Sequence, residues 1–298
     1  TVITDSVGNL YIAEYSGSRI RRVDKDSLLV STVVGGASCT TTAANFVGAS
    51  TSVCITTPTG LAIDSSGAIY FSNDADRLIR KLTLPGNIVS TFAGTGSYSA
   101  PAVVNVPALS ATFEQPKSMW IDIVQNNTLY FGDYGIKYIR KIYFDRVTNG
   151  WRMIPYGGTG VGTYNGDLIP ATIANIETPV GVCGDSAGNV YIATLDNQYR
   201  LRVIDAVTRR VYTYAGTGVG GTVGGENVFA TSAVLNNQRS CFVSKISGEI
   251  FIGESAAGGF ERIRRIFNAF PTGQPTMQPS GQPSTQPSIQ PSKQPTRQ

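Results

Sequence analysis

The stretch Ala68–Leu82, which reads AIYFSNDADRLIRKL, decides the fold. It joins an aromatic pair, a group of carboxylates and three cations, so taken alone it is either a local site or a structural element. The pattern occurs five times in the chain, at spacings of 59, 60, 61 and 60 residues between the aromatic anchors Tyr11, Tyr70, Tyr130, Tyr191 and Phe251. Self-similarity at a fixed period is the signature of a repeat architecture.

Each repeat consists of short apolar runs separated by turn residues. The aromatic run is preceded by a run such as Gly60–Asp64 (GLAID), and it is followed by a basic run such as Ile79–Leu82 (IRKL) and by Val89–Gly96 (VSTFAGTG). The fifth repeat lacks the last of these runs. A four-stranded sheet cannot bury both faces alone, so it packs against the next one. The pattern therefore predicts an all-β fold, a β-propeller of four-stranded antiparallel blades.

The runs Gly8–Glu14 (GNLYIAE), Arg19–Val23 (RIRRV) and VSTFAGTG resemble the NHL-repeat β-propellers in their long-repeat variant. The resemblance implies a propeller over residues 1–270, with repeats at about 1–57, 58–115, 116–178, 179–238 and a partial one at 239–270. Propellers of this family commonly have six blades. We therefore expect that the chain is a fragment lacking N-terminal sequence, and a closed five-bladed ring is the alternative.

The character of the chain changes at residues 271–298, where the tetrad Pro-Ser/Thr-x-Gln occurs seven times. With almost no apolar side chains it cannot form a core, so we expect a disordered or polyproline-II-like tail. Such tails resemble those of secreted or wall-associated proteins. This resemblance implies an extracellular or cell-surface location and a tail that tethers the chain to a wall or matrix. A plain disordered spacer is the alternative.

Composition argues against several classes of function. The chain has no histidine, which excludes Ser-His-Asp and Cys-His nucleophile systems and removes the commonest zinc ligand. The net charge is +4, and without Lys293 and Arg297 of the tail residues 1–270 carry 22 − 20 = +2. That charge is too small to indicate nucleic acid binding. No apolar run approaches the ~18 residues of a membrane span. We expect no cofactor and no resident metal.

One arginine and one acid recur in every repeat. The arginines follow the aromatic run and are Arg21, Arg80, Arg140, Arg202 and Arg264. The acids end that run and are Glu14, Asp74, Asp133, Asp196 and Glu254. A basic ring for RNA or phosphate is one interpretation. Because all five repeats keep both partners, we instead predict structural ion pairs, within one blade or between two blades, with the planar guanidinium suited to a carboxylate.

The cysteines and one sequon are candidates for covalent modification. Cys39 and Cys54 lie 15 residues apart in a loop rich in Thr, Ala and Ser, and we predict a disulfide between them. Cys183 and Cys241 fall in the innermost strands of neighbouring repeats, where we expect free thiols, and a second bridge is the alternative. The sequon Asn126–Thr128 predicts glycosylation of Asn126 at an exposed turn, and a chance match is the alternative.

For function we expect a non-catalytic extracellular module that binds a protein or glycan partner. Its binding site would lie on the long loops, which vary while the strands repeat. These loops are 37–57, 97–115, 161–178 and 219–238. One alternative is a hydrolase or lyase with a metal in the central channel, held by the inner-strand carboxylates Asp5, Asp64, Asp122 and Asp185. The lyases that resemble this family rely on histidine, which this chain lacks. A second alternative is an RNA-binding NHL module.

Overall fold

A computed structural model describes residues 1–36, 46–98, 105–195, 198–221, 227–256 and 260–267. Residues 1–267 form one compact unit. The Pro-rich tail lies outside the described residues, so its predicted boundary at 270/271 stays a prediction. Within the described residues all regular structure consists of β-strands and three short 3-10 helices.

The strands form five antiparallel sheets, which are the five predicted blades. Blade 1 contains β1 (Val2–Thr4), β2 (Leu10–Glu14), β3 (Arg19–Val23) and β4 (Val30–Val34). Blade 2 contains β5 (Val47–Ala49), β6 (Pro58–Ile63), β7 (Ile69–Asn73), β8 (Leu78–Thr83) and β9 (Ile88–Ala93). Blade 3 contains β10 (Val106–Pro107), β11 (Pro116–Asp122), β12 (Thr128–Asp133), β13 (Tyr138–Asp145) and β14 (Gly150–Gly157). Blade 4 contains β15 (Ile169–Pro170), β16 (Pro179–Gly184), β17 (Val190–Thr194), β18 (Leu201–Ile204) and β19 (Arg210–Ala215). Blade 5 contains β20 (Asn237–Val243), β21 (Ile250–Ala256) and β22 (Phe260–Ile266).

The fifth strand of blades 2 to 4 comes from the long incoming loop. The short strands β5, β10 and β15 pair with the outermost strand of their blade, so each blade has a covered edge. The loops that enter blades 3, 4 and 5 each contain a 3-10 helix at a corresponding place, and these helices span Ala108–Ser110, Ala171–Ile173 and Ala230–Ser232. The repeat therefore extends beyond the strands into the connections.

The core consists of the interfaces between consecutive blades. Tyr11 and Ala13 of blade 1 pack against Ile69 and Phe71 of blade 2, and equivalent clusters join blades 2 and 3, 3 and 4, and 4 and 5. Ile139 of β13 is fully buried, whereas Ile263, which holds the equivalent position in β22 of blade 5, is 78% exposed. Blade 5 thus exposes an apolar side chain at a position that the next blade covers in blade 3. A sixth repeat stays a prediction.

Candidate functional site

Two of the recurring arginines lie fully buried beside a carboxylate. Arg140 Nε lies 3.5 Å from Asp133 Oδ2, and both side chains are buried in blade 3. Arg202 Nη2 lies 3.1 Å from Asp167 Oδ1, in the incoming loop of blade 4. The predicted partner of Arg202, Asp196, lies outside the described residues. Burial lowers the pKa of the Arg140 and Arg202 guanidinium groups, with the nearby carboxylates opposing it.

In blades 1 and 5 the acid pairs with a different arginine from the one predicted. Glu14 Oε2 lies 2.8 Å from Arg19 Nε, and Glu254 Oε2 lies 2.7 Å from Arg262 Nε. The two members of each pair stand directly opposite each other on neighbouring strands. This cross-strand position brings their side chains together, whereas the predicted partners lie two residues further along the strand, at Arg21 and Arg264.

Blade 2 also departs from the predicted pairing. Asp74 forms its ion pair with Lys117 of blade 3, so this contact joins two blades. Arg80 Nη1 donates a hydrogen bond to Thr91 Oγ1 at 3.2 Å, on the neighbouring strand of its own blade. Asp74, the acid predicted for blade 2, lies one residue after the position equivalent to Glu14 of blade 1. That position is held by Asn73.

The expectation of free thiols at the inner strands is wrong. Cys183 and Cys241 form a disulfide, with their Cα atoms 5.8 Å apart. They lie on β16 and β20, the adjacent inner strands of blades 4 and 5, and this packing brings the two backbones within bonding range. Cys54 is also disulfide-bonded, and Cys39 lies outside the described residues.

The predicted glycosylation site and the predicted loop surface are only partly visible. Asn126 is exposed, in the turn between β11 and β12, and its modification stays a prediction. Of the long loops, 161–178 is fully described. Its Tyr164 ring stacks 4.1 Å from Arg200 Cζ, and its Asp167 pairs with Arg202, so these groups serve contacts within blade 4. Binding of a partner at the loops also stays a prediction.

The inner-strand carboxylates organise tight turns. The Oδ1 atoms of Asp5, Asp64 and Asp185 each accept hydrogen bonds from backbone N–H groups of the following turn. Their Oδ2 atoms accept from the hydroxyls of Tyr11, Tyr70 and Tyr191, at 3.4, 3.1 and 3.0 Å. No group of three or more candidate ligands suited to a metal ion occurs among the residues that the structure describes.

Blade 3 departs from this arrangement. The turn from Asp122 to Thr128 spans six positions, whereas the equivalent turn from Asp64 to Ala68 spans four. Asp122 Oδ1 accepts from the backbone of the turn, but the buried Oδ2 has no hydrogen-bond partner among the described residues. The hydroxyls of Tyr130 and Tyr156 are instead hydrogen-bonded to each other. The turn of blade 3 is longer by two residues and lacks the Tyr–Asp bond that blades 1, 2 and 4 keep.

A cleft of about 360 Å³ lies beside this turn, between blades 3 and 4. Its lining residues are Gln125, Tyr130, Lys141, Ile154, Tyr156, Gly188, Ala206 and Arg209. Gln125 and Gly188 belong to turns at the ends of the strands opposite to those joined by the long loops. A Cβ atom at Gly188 would lie 3.4 Å from Asp122 Oδ2, so this buried carboxylate oxygen lies next to a residue of the cleft wall. The cleft thus gathers groups from two blades.

The cations are the most distinctive feature of the cleft. Lys141 Nζ lies 5.6 Å from the Tyr130 ring centroid and 5.7 Å from that of Tyr156. Arg209 Cζ lies 3.4 Å from the Tyr156 ring centroid, and Arg209 Nη2 donates to the Tyr156 carbonyl at 3.3 Å. Burial, and then the charge of Arg209, lowers the pKa of Lys141. Burial raises the pKa of the Tyr156 hydroxyl, and the Arg209 charge opposes this shift.

Sequence reasoning missed this cleft, although one signal was present, since the turn after Asp122 is longer than its equivalents. Tyr156 gave no signal, because the same bulged position carries Phe92 in blade 2 and Tyr214 in blade 4. Lys141 itself gave no signal, because Lys81 occupies the equivalent position in blade 2. What distinguishes the two lysines is their surroundings, since Lys81 Nζ lies 3.5 Å from Asp64.

Comparison with known proteins establishes the fold. A family model described as a PT disordered repeat matches residues 269–298. No curated protein sequence matches the chain. A Bacteroides thetaiotaomicron protein of unknown function is 19% identical, with 88% of this chain and 57% of that one covered, at a TM-score of 0.62. An auxiliary nutrient binding protein from Bacteroides ovatus is 14% identical, with 89% and 68% covered, at 0.55. A gluconolactonase from Xanthomonas campestris is 14% identical, with 84% and 67% covered, at 0.53.

At these identities the likeness shows the architecture alone. The chain is a five-bladed β-propeller followed by a PT-type repeat. It spans 57% of the length of the Bacteroides thetaiotaomicron protein. The neighbours include both a binding protein and an enzyme, so a function for this chain has to be argued from its own site.

Proposed function

We propose that the chain is a non-catalytic binding module of the NHL propeller type, located outside the cell or on its surface, that binds a glycan in the cleft between blades 3 and 4. One observation carries the proposal. The turn carboxylate and the lysine, which form an ion pair in blade 2, are separated in blade 3 beside a 360 Å³ cavity. A volume of this size falls within the ~300–1,000 Å³ of small-molecule sites.

The mixture of groups in the cleft favours a glycan. The Gln125 amide, the Lys141 ammonium and the Arg209 guanidinium provide hydrogen-bond donors on several sides. Ile154 and Ala206 provide apolar surface between them. A sugar ring presents hydroxyls around its edge and C–H groups on its faces, and this alternation matches a cleft that is polar at its sides and apolar between them.

The proposed location is supported by the covalent chemistry of the chain. The Cys183–Cys241 disulfide belongs to the kind of bond that forms and persists in oxidising compartments. The NHL assignment is supported by the repeated GNLYIAE, RIRRV and VSTFAGTG runs. None of the helices in the described part of the chain has the length and hydropathy that a membrane crossing requires.

A non-catalytic role is supported by three of the four inner-strand acids. Hydrolysis needs a base or nucleophile within hydrogen-bond reach of the substrate, and Asp5, Asp64 and Asp185 are held by their own turns. Asp122 differs from them, because its buried Oδ2 accepts no hydrogen bond from a described residue. The competing function is a hydrolase that uses Lys141 as base or nucleophile, and the lowered pKa of that amine favours it. The two functions differ in whether the bound ligand is turned over.

A glycan array probed with the biotinylated chain tests the proposal, together with a pH-stat assay for hydrolysis of sugar lactones and esters, with and without Ca²⁺. We expect saturable retention of a defined set of glycans and no acid release above buffer. Ala206→Trp, which fills the cleft, should remove retention. Val207→Trp is the matched control, because this neighbouring side chain is 89% exposed and lies outside the cleft. Acid release that Lys141→Met abolishes would establish the hydrolase instead.

A further inference from the structure

We infer that the cleft between blades 3 and 4 is specific for an acidic saccharide, a sugar unit whose carboxylate binds between Lys141 and Arg209. The inference rests on the proposed binding function and adds the charge and chemical class of the ligand. It is carried by the charges that face the cleft, by the way each of them is held, and by the comparison with the same position in blade 2.

Two cations face the cleft without a carboxylate partner among the described residues. Lys141 makes no ion pair within 4.0 Å and no hydrogen bond to a described residue, and its ammonium lies beside three tyrosine rings. The Asp122 carboxylate acts on it only from beyond ion-pair distance. Arg209 forms no ion pair either and bonds to the Tyr156 carbonyl. In blade 2 the equivalent Lys81 lies 3.5 Å from Asp64. The altered turn of blade 3 has therefore left a basic pair exposed to the cleft.

The charge balance favours a ligand with a single negative charge. Lys141 and Arg209 are the two cations that line the cleft, and the Asp122 and Asp205 carboxylates lie near enough to act on Tyr156. A phosphate monoester, with a charge of about −1.5 to −2 at pH 7, would be repelled by these carboxylates more strongly than a single carboxylate would.

Arg209 is oriented to receive a carboxylate. Its guanidinium lies on the Tyr156 ring, at 3.4 Å from the centroid, and one of its nitrogens is fixed by the Tyr156 carbonyl. These two contacts fix the position of the guanidinium, and its other N–H groups donate no hydrogen bond to a described residue. A planar carboxylate accepts two parallel hydrogen bonds from such a fork, and the Lys141 ammonium provides a third donor from the side of blade 3.

The cleft is larger than a carboxylate requires. A volume of 360 Å³ corresponds to that of about 12 waters at roughly 30 Å³ each. A simple anion would occupy a small part of it and would leave Gln125, Ile154 and Ala206 without contacts. A pyranose ring attached to the carboxylate places hydroxyls near the Gln125 amide and C–H groups against Ile154 and Ala206. These lining residues therefore indicate a sugar acid rather than an inorganic ion.

Isothermal titration calorimetry with galacturonate and galactose, which differ in the carboxylate, tests the inference on the full chain. We expect galacturonate to bind at least ~10-fold more tightly, the size of effect of a charge-assisted hydrogen bond. Lys141→Met should remove this preference, and Lys141→Arg, which keeps the charge, should retain part of it. Lys81→Met is the matched control, from the same repeat position in blade 2, and should leave both affinities within ~2-fold of the parent.

The outcomes separate the two proposals. Equal affinity for galacturonate and galactose, or an equal effect of Lys141→Met and Lys81→Met, overturns the acidic-saccharide inference while glycan retention on the array leaves the binding module intact. Sodium acetate or sulfate that binds as tightly as galacturonate reduces the cleft to a simple anion site and also overturns the inference. Loss of all glycan retention, or turnover of a bound sugar lactone, overturns the proposed function itself.

Discussion

The disulfide between blades 4 and 5 offers a prediction whose size follows from the chain. Replacing Cys183 and Cys241 together by alanine removes a covalent bond between neighbouring inner strands without introducing a polar group. The bond closes a segment with a sequence separation of 58 residues. In the chain-entropy account, its removal leaves the folded contacts in place and enlarges the conformational freedom of the unfolded chain.

The magnitude follows from the length of the closed loop. With n set to the separation of 58 residues, the relation ΔS of roughly −2.1 − 1.5R ln n gives about −14 cal/mol/K, or about 4 kcal/mol at 25 °C. This is a large part of the ~5–15 kcal/mol by which domains are stable. We expect the double variant to fold and to lose a similar amount of its free energy of unfolding.

Urea unfolding followed by tryptophan fluorescence measures this loss. Both tryptophans of the chain, Trp120 and Trp151, lie in blade 3. The fluorescence therefore reports the unfolding of blade 3, which is not altered, rather than local changes in blades 4 and 5. Reductant provides the control. It should shift the parent towards the double variant, and any shift that it causes in the double variant belongs to the disulfide of Cys54.

A loss below ~1 kcal/mol in the double variant would refute the entropic reasoning. The same conclusion would follow if either single alanine variant were much less stable than the double variant, because one substitution already opens the bond. A reduced parent that is as stable as the oxidised one would show that the packing of β16 against β20 fixes the unfolding equilibrium without the covalent bond.

Three further changes test the packing and electrostatics of the blades. Ile139→Ala should cost about 2–5 kcal/mol in urea unfolding, whereas Ile263→Ala, at a position 78% exposed, should cost under ~1 kcal/mol, and equal losses would contradict the free face of blade 5. Arg140→Met leaves Asp133 buried without its guanidinium and should cost ~3–5 kcal/mol, with recovery when Asp133→Leu is added. Backbone hydrogen bonds lower the pKa of Asp24 from 3.8 to about 2. The stability that the ionised Asp24 gives to the fold is therefore complete above pH 3.8 and is lost as the pH falls through 2. The melting temperature of Asp24→Ala should therefore lie below that of the parent at pH 6 and converge with it near pH 2, and a constant difference would contradict the shift.

Much of the fold could be predicted from the sequence because its information is local and repeated. The spacing of Tyr11, Tyr70, Tyr130 and Tyr191 gives the blade period, and the order of the apolar runs gives the strand order within each blade. Alternation along each strand also identifies the buried face. The repeat multiplies a weak signal, because five copies agree where one would be ambiguous.

Cross-strand partners were harder to predict, because register decides them. The register of β2 and β3 is regular and places Glu14 directly opposite Arg19, two residues before Arg21. The repeated arginine and the repeated acid identify the two strands but not the residues that face each other across them. The Cys183–Cys241 bond depends on how closely two blades approach, which no pattern within one blade records.

The candidate cleft was the least predictable feature, because it arises from a departure from the pattern. The longer turn after Asp122 was visible in the sequence, but its consequence is a hydroxyl of Tyr130 that bonds to Tyr156 in place of the carboxylate. That exchange depends on three side chains from three strands. The cleft lies where blade 3 differs from the other blades, at the longer turn after Asp122.

The most direct measurement is a crystal structure of the chain with its tightest-binding glycan from the array. The account predicts ligand density in the cleft between blades 3 and 4, with a carboxylate within hydrogen-bond distance of Lys141 Nζ and the Arg209 guanidinium and a sugar ring against Ile154. Density confined to the long-loop face or to the central channel, with the cleft filled only by water, would contradict it.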